Sequence, residues 1–165
     1  MSCQGCGACA KMGKSRCVYN DVVNTAIEKM ETIDGIIVGS PVHYAAASGN
    51  LTGFLDRLFY SAAPGTFRLK PAAVVVSARR GGTTAAYEQL LKYPGISEMP
   101  IISSRYWNMV HGAASDDVLR DEEGLACMRV LGANMAYFLR CREAAAQAGV
   151  AMPDEEPRVH TNFIR

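Results

Sequence analysis

No apolar run in this chain approaches the roughly 18 residues that a membrane-spanning helix needs. No secretory leader is evident either, because Met1 runs straight into polar, glycine-rich sequence. Neither sign of charge is in excess: the net charge is +1, which offers no general attraction to nucleic acid or to an anionic membrane. Both G-x-G-x-x-G and the P-loop are absent, as are repeats, linkers and low-complexity segments. Tryptophan occurs once. What is left is a chain of 165 residues, 49% apolar and 20% charged, which is the composition of one globular domain with a real core. A cytoplasmic location is expected.

Cysteine is present, and it is concentrated. Four of the six cysteines fall in CQGCGACAKMGKSRC, from Cys3 to Cys17, spaced C-x2-C-x2-C-x7-C. In a reducing compartment such a cluster points to metal or redox chemistry and not to a disulfide framework. Two-residue gaps allow neighbouring sulfurs to converge on one centre, and four thiolates suit an iron–sulfur cluster or zinc. The run lacks the C-x3-C-P ending of a ferredoxin, so a plain thiol loop is the third reading. Cys127 and Cys141 fall within a long helical pattern and are expected to be buried structural thiols.

The rest of the chain alternates between two periods. NDVVNTAIEKMETI places Val23, Ile27, Met30 and Ile33 at helical spacing, with Asn20 or Asp21 as N-cap. A short β-branched strand follows at about 35–39. Leu51, Phe54, Leu55, Leu58 and Phe59 mark a second helix, broken by Pro64 and Gly65. KPAAVVVSA reads as a second strand, TTAAYEQLLKY as a helix and MPIISSRYW as a third strand. A long helix runs from about Glu122 to Gly149, with Leu125, Met128, Leu131, Met135 and Phe138 towards the core. This alternation predicts an α/β fold with a parallel sheet and right-handed crossovers. Ligands of such sheets sit beyond the C-terminal strand ends, where the loops 40–49, 77–84 and 103–112 are expected to meet. The strand IIVGS is apolar on both faces and carries no guard against edge pairing, so a neighbour strand on its other side is expected.

The loops carry a resemblance. CQGCGAC…C followed by ND, then DGIIVGSPVHYAAASGNLTGFLDR, KPAAVVVSARRGGTT, YWNMVHG, DEEGLACMRVLGANMAYFLR and the closing EPRVHTNFIR resemble the flavodoxin-like NAD(P)H-dependent FMN reductases. The likeness is strongest to their iron–sulfur flavoprotein branch, and it covers essentially the whole chain. GSPVHY together with SARRGGTT is its most specific part. The resemblance implies a flavodoxin-like sheet with helices on both faces, here three readable strands in one domain over 1–165. Family members begin with a strand, a Ser/Asn/Thr-rich phosphate loop and a helix, none of which is in this sequence. Met1 is accordingly expected to be an internal methionine or a miscalled start.

The same resemblance implies an FMN-dependent oxidoreductase that takes hydride from NAD(P)H and passes electrons to a flavin, a quinone or a protein acceptor. The alternatives are a non-catalytic FMN and iron–sulfur electron carrier, or a chain that binds no cofactor. Ser40, Pro41, Val42, His43 and Tyr44 would line the flavin ring. Small residues at Ala45–Ala47 would let a flat ring approach. Ser77, Ala78, Arg79, Arg80, Gly81 and Gly82 form an anion site before a helix N-terminus. An arginine there would favour reduced, anionic flavin or meet a nicotinamide phosphate; solvated surface arginines are the bland alternative. Trp107 would cover the flavin, commonly from a partner subunit of a homodimer or homotetramer, or else sit in the core beside a structural His111. Cys3, Cys6, Cys9 and Cys17 would hold a 4Fe–4S cluster. The flavin carries the chemistry, and no side-chain acid or base is assigned.

Overall fold

The computed structural model describes residues 1–13, 15–157, 159 and 161, so the closing match at 156–165 lies largely outside the described residues. At the centre is β3 (Ala72–Ala78), whose Ala73, Val74 and Val76 are fully buried. A strand apolar on both faces is what a parallel sheet covered on both sides requires. Parallel to it runs β1 (Ile36–His43), in register from Ile36 opposite Ala72 to Pro41 opposite Ser77. On β3's other edge lies the short β4 (Met109–His111), with Val76 opposite Met109. The order across the sheet is β2-β1-β3-β4, where β2 is the two-residue Ala46–Ala47.

One face of the sheet is packed by α2 (Val22–Thr32), α3 (Gly49–Ser61) and α4 (Thr83–Ile96). Asp21, one of the two N-cap candidates, caps α2 by accepting from the Val23 N–H at 3.1 Å. Val23, Ile27, Leu55, Leu58 and Leu90 close this layer over Val38, Val74 and Val76. Each such fully buried side chain contributes about 1.5–3 kcal/mol. The other face is covered by α6 (Glu122–Gln147), whose Leu131 and Met135 pack on Ala73 and Ile102. Two single-turn helices, α1 (Ala8–Lys11) and α5 (Ser115–Val118), have too short a period to read from sequence.

Three expectations change. The third strand is not MPIISSRYW. Only Ile101 bridges to Ala72, after which the chain leaves the sheet and returns at Met109 opposite Val76. Residues 101 and 109 therefore span eight positions against four on β3, so the stretch between them must bulge outward. The loop after β1 is not irregular, because the strand continues to His43 and turns back as β2. Finally, β1 is buried on one face only. Val38 and Ser40 point inward, while Ile37 is 57% exposed, since α6 covers β3 and not β1. Among the described residues the outer edge of β1 is paired only at Val42 and His43.

Candidate functional site

The hairpin at the end of β1 is tight. Val42 pairs with Ala47 and His43 with Ala46, leaving Tyr44 and Ala45 as the turn, at φ 51° and 59°. A two-residue turn with both φ positive favours Asn-Gly, and an L-residue in the left-handed region costs about 1–2 kcal/mol. The surroundings hold this conformation in place. The Ser40 hydroxyl accepts from the Ser48 N–H at 2.8 Å, and Gln89 of α4 accepts from the Ala47 N–H at 2.9 Å. The Tyr44 ring projects fully into solvent, and Pro41 and His43 are exposed beside it.

The loop after β3 lies against this hairpin, and a glycine makes that approach possible. Gly82 has φ 87°, and a Cβ there would stand 2.7 Å from Ala45 Cα and 3.1 Å from Val42 Cγ1. Neighbouring Gly81 has nothing within 4 Å of where a Cβ would be. Arg79 and Arg80 are exposed, with no hydrogen bond or ion pair among the described residues. Gly82 is also the N-cap of α4 and supplies no side-chain acceptor. The first-turn N–H groups of α4 are thus left without a capping side chain beside two unpaired guanidinium groups. Ser77 and Ala78 form the half-buried base of the loop at the end of β3, where Ala78 O accepts from the Gly112 N–H at 3.0 Å.

Trp107 is placed differently. It precedes β4 and stands on the outer edge of the sheet, half exposed, with Tyr106 edge-on at 4.6 Å. A core tryptophan is therefore excluded. His111 follows on β4, where Asp121, the N-cap of α6, accepts from its N–H at 2.6 Å and from the Gly124 N–H at 2.9 Å. These bonds, Gly124's first, hold the Asp121 carboxyl below the usual carboxylate range. A Cβ at Gly124 would meet Asp121 Oδ2, so a larger residue there has to displace this cap.

The four N-terminal cysteines line a single cavity of about 20 Å³, together with Arg57, Tyr19 and Tyr60. Cys9 and Cys17 are buried, Cys3 is half-buried and Cys6 is exposed. Gly5, Gly7 and Gly13 take φ 61°, 67° and 81°, which bends the backbone between successive cysteines. The donor set suits a thiolate-bound group. As placed, the sulfurs do not fit a metal or cluster: among the described residues no three Cys, His, Asp or Glu side chains stand close enough to hold a metal ion. Cys127 is buried as expected, but Cys141 is exposed, on a turn of α6 that has left the sheet behind.

Two residues that the sequence reading passed over organise this loop. Asn24 clamps Cys17, accepting from its N–H at 2.7 Å and donating to its carbonyl at 3.1 Å and to that of Tyr19 at 3.2 Å. Arg57, 3% exposed, donates to Asp21 through two N–H groups at 2.7 and 2.9 Å. Its Nε and Nη2 each lie 3.4 Å from Cys17 Sγ. The Asp21 bonds push the arginine above its ordinary pKa, with Cys17 adding, and in return hold Asp21 below the carboxylate range. A signal existed, because Arg57 interrupts the apolar stripe of α3 between Phe54 and Leu58. A separate groove of about 550 Å³, lined by Phe59, Phe67 and Tyr93, shares Cys3 and Tyr60 with the cysteine cavity.

A mixed sheet, parallel through β1, β3 and β4, with helices on both faces and paired loops at the C-terminal ends of its strands, defines a flavodoxin-like α/β protein. Residues 4–114 match the model of the NADPH-dependent FMN reductases, and the chain belongs to that family. It is thereby an FMN-dependent NAD(P)H oxidoreductase. It is 31% identical over 145 residues to an iron–sulfur flavoprotein of Methanocaldococcus jannaschii, covering 84% of this chain and 74% of that one. To an iron–sulfur flavoprotein of Archaeoglobus fulgidus it is 33% identical over 104 residues, covering 60% of this chain but only half of the relative's length. Among solved structures, RosB with bound 8-demethyl-8-formylriboflavin-5′-phosphate superposes with TM-score 0.59 at 14% identity, over 88% of this chain and 66% of that one. Among the described residues no helix is long and apolar enough to cross a membrane.

Proposed function

We propose that the hairpin Pro41–Ser48 and the loop Arg79–Gly82 together hold the isoalloxazine ring of FMN, on a base formed by Ser40, Ser77 and Ala78. One observation carries this reading: glycine at 82 lets the cationic loop lie against the hairpin, so that the two make one continuous shelf. FMN, when bound, accepts a hydride from NAD(P)H and releases electrons one or two at a time. The chain's own residues bind, orient and shield. Arg79 and Arg80, with the uncapped first turn of α4, hold negative charge at the ring edge; either arginine is also placed to take a phosphate of the nicotinamide nucleotide. Pro41 and Ala46 give a flat, small-residue wall, and His43 and Tyr44 exclude water from its rim.

Trp107, exposed on the sheet edge, covers the flavin of a partner subunit in a homodimer or homotetramer. Cys3, Cys6, Cys9 and Cys17 are the candidate ligands of a 4Fe–4S cluster: they share one cavity and the relatives above are named iron–sulfur flavoproteins, although as placed the sulfurs do not converge on one centre. The single domain over 1–165 works in the cytoplasm and passes its electrons to a flavin, a quinone or a protein acceptor.

Fluorescence titration with FMN tests the shelf. Arg79→Ala or Arg80→Ala should weaken binding about tenfold, the loss of one charge-assisted contact. Affinity and flavin potential unchanged in both variants would show the arginines to be solvated and the site wrongly placed. Rapid anaerobic bleaching of the bound flavin by NADPH or NADH supports the reductase. Reduction by a protein donor alone would make the chain an electron carrier.

A further inference from the structure

The groove lined by Phe59, Phe67 and Tyr93, of about 550 Å³, takes no part in the flavin shelf. It opens between the C-terminal turns of α3 and α4, whereas the shelf stands at the N-cap of α4. At 1.5 Å per residue, the 14 residues of α4 separate the two by about 20 Å. Its volume is that of a small-molecule pocket, about 300–1,000 Å³. The floor is aromatic. Phe67 stacks on Phe59 at 4.2 Å, and Tyr93 tilts against Phe59 at 5.4 Å. Phe67 is buried and Phe59 only partly so, which leaves Phe59 backed and held as the central ring. The walls are acidic: Asp56, Glu98 and Glu155 carry three carboxylates against the single guanidinium of Arg68. That guanidinium is engaged, since Nε donates to Glu98 at 3.0 Å and Nη2 to the carbonyls of Pro153 at 2.8 Å and Asp154 at 3.1 Å. Arg68 thereby ties down the C-terminal segment that carries Glu155. The Tyr93 hydroxyl donates to Asp56 Oδ1 at 2.6 Å. Burial first, and then Asp56, push that hydroxyl above its ordinary pKa, so it remains the donor. Among the described residues neither Asp56 nor Glu155 has an ion-pair partner.

We propose that this groove binds a small organic cation, an amine or quaternary ammonium compound with an apolar body, whose body lies on Phe59 and Tyr93 and whose charge faces Asp56 and Glu155. Two attractions act together there. The face of an aromatic ring is the negative end of its quadrupole and attracts a cation within about 6 Å of the centroid. The two unpaired carboxylates add a longer-ranged field, which an apolar floor screens less than water does. The same arrangement repels an anion, because the one guanidinium is already held by a carboxylate and two carbonyls. The groove is thus the electrostatic opposite of the arginine loop 79–82, whose guanidinium groups are unpaired. A neutral aromatic compound would gain the floor but not the walls. The inference depends neither on the flavin reading nor on any group held by the cysteines.

The experiment uses the full chain and benzyltrimethylammonium as the probe. Benzoate and benzyl alcohol serve as an anion and a neutral molecule bearing the same ring. The position of binding is read from amide chemical shifts in two-dimensional NMR, and its strength from isothermal calorimetry. Benzyltrimethylammonium should bind saturably and shift the amides of 56–68 and 93–98, leaving those of 79–82 unmoved. Benzoate should not bind there, and benzyl alcohol should bind about tenfold more weakly than the cation. Asp56→Asn should weaken the cation about tenfold and benzyl alcohol hardly at all. Glu155→Gln should weaken the cation about threefold, because Glu155 stands on a segment tied only through Arg68. Tyr93→Phe keeps the ring and releases Asp56, so the cation should still bind. Equal affinity for the cation and for benzyl alcohol would overturn the inference. So would a cation affinity unchanged in both carboxylate variants, or no saturable binding to the wild type at these residues. Should Asp56→Asn fail to fold, Glu155→Gln and the comparison of the three probes decide.

Discussion

The hairpin Val42–Ala47 is held by its own backbone and by one packed neighbour, with Ala47 buried in the core and Tyr44 fully exposed. The cysteine loop is held the other way: its backbone has little regular structure, and buried side chains of two helices grip it at Cys17. The hairpin thus carries strain in a rigid frame and leaves its surface free for a flat ligand. The loop carries buried polar groups, which are costly when unpaired, and keeps its exposed end adaptable. A surface that must present a fixed shape is built from strands. The cysteine loop has one fixed sulfur, that of Cys17, and glycines at 5, 7 and 13 between its cysteines.

The comparison breaks most easily at the loop. Asn24→Ala removes three hydrogen bonds around Cys17 and leaves its N–H and carbonyl unpaired, so stability should fall by about 2–3 kcal/mol. Chemical denaturation measures this. FMN affinity should hardly change, because the hairpin does not touch Asn24; an equal loss of FMN binding would mean that the two regions are mechanically one. At the shelf, Gly82→Ala meets both a φ of 87° and the Ala45 backbone, and should cost about 1–2 kcal/mol. Here FMN affinity should drop with stability, while thiol titration of the four N-terminal cysteines stays as in wild type.

A smaller change of opposite sign sharpens the contrast. The double substitution Tyr44→Asn, Ala45→Gly supplies the residues that the turn prefers and should raise stability by about 1 kcal/mol, read as an increase in Tm. A fall in Tm would show that the positive-φ turn is not the conformation in solution. The smallest effect is acid lability. Asp21 has its pKa lowered by Arg57, so its contribution is complete above the unfolded carboxylate value near 4 and is lost as pH falls through the lower folded value. Tyr19 fluorescence is not separable here, so amide exchange at Cys17 between pH 5 and 3 is the readout. Protection should hold from pH 5 to about 4, decline below that in wild type, and change less in Asp21→Asn.

Much of this arrangement was legible from residue order. The helices at 22–32, 49–61 and 122–147 follow from apolar spacing, and β3 from its unbroken run of small and branched residues. The two loops of the shelf were marked by their residue types. What could not be read was pairing. MPIISSRYW has better strand composition than NMVHG, yet only the second continues alongside Val76–Ala78, because register depends on where the chain re-enters the sheet. The hairpin was hidden because Tyr-Ala is a poor composition for a tight turn, and its conformation is imposed by Ser40, Gln89 and Gly82. Arg57 was hidden by the usual expectation that arginine faces water, although its place between Phe54 and Leu58 on α3 was visible throughout.

The fit of Gly82 against Ala45 has a consequence for heredity and for engineering. A residue larger than alanine at 45, or any side chain at 82, closes the gap between two segments that lie 37 positions apart in the chain. Substitutions in the two loops are therefore sterically coupled. A chimera that brings in a residue larger than alanine at 45 would have to change the loop 79–82 with it to avoid a collision at Gly82.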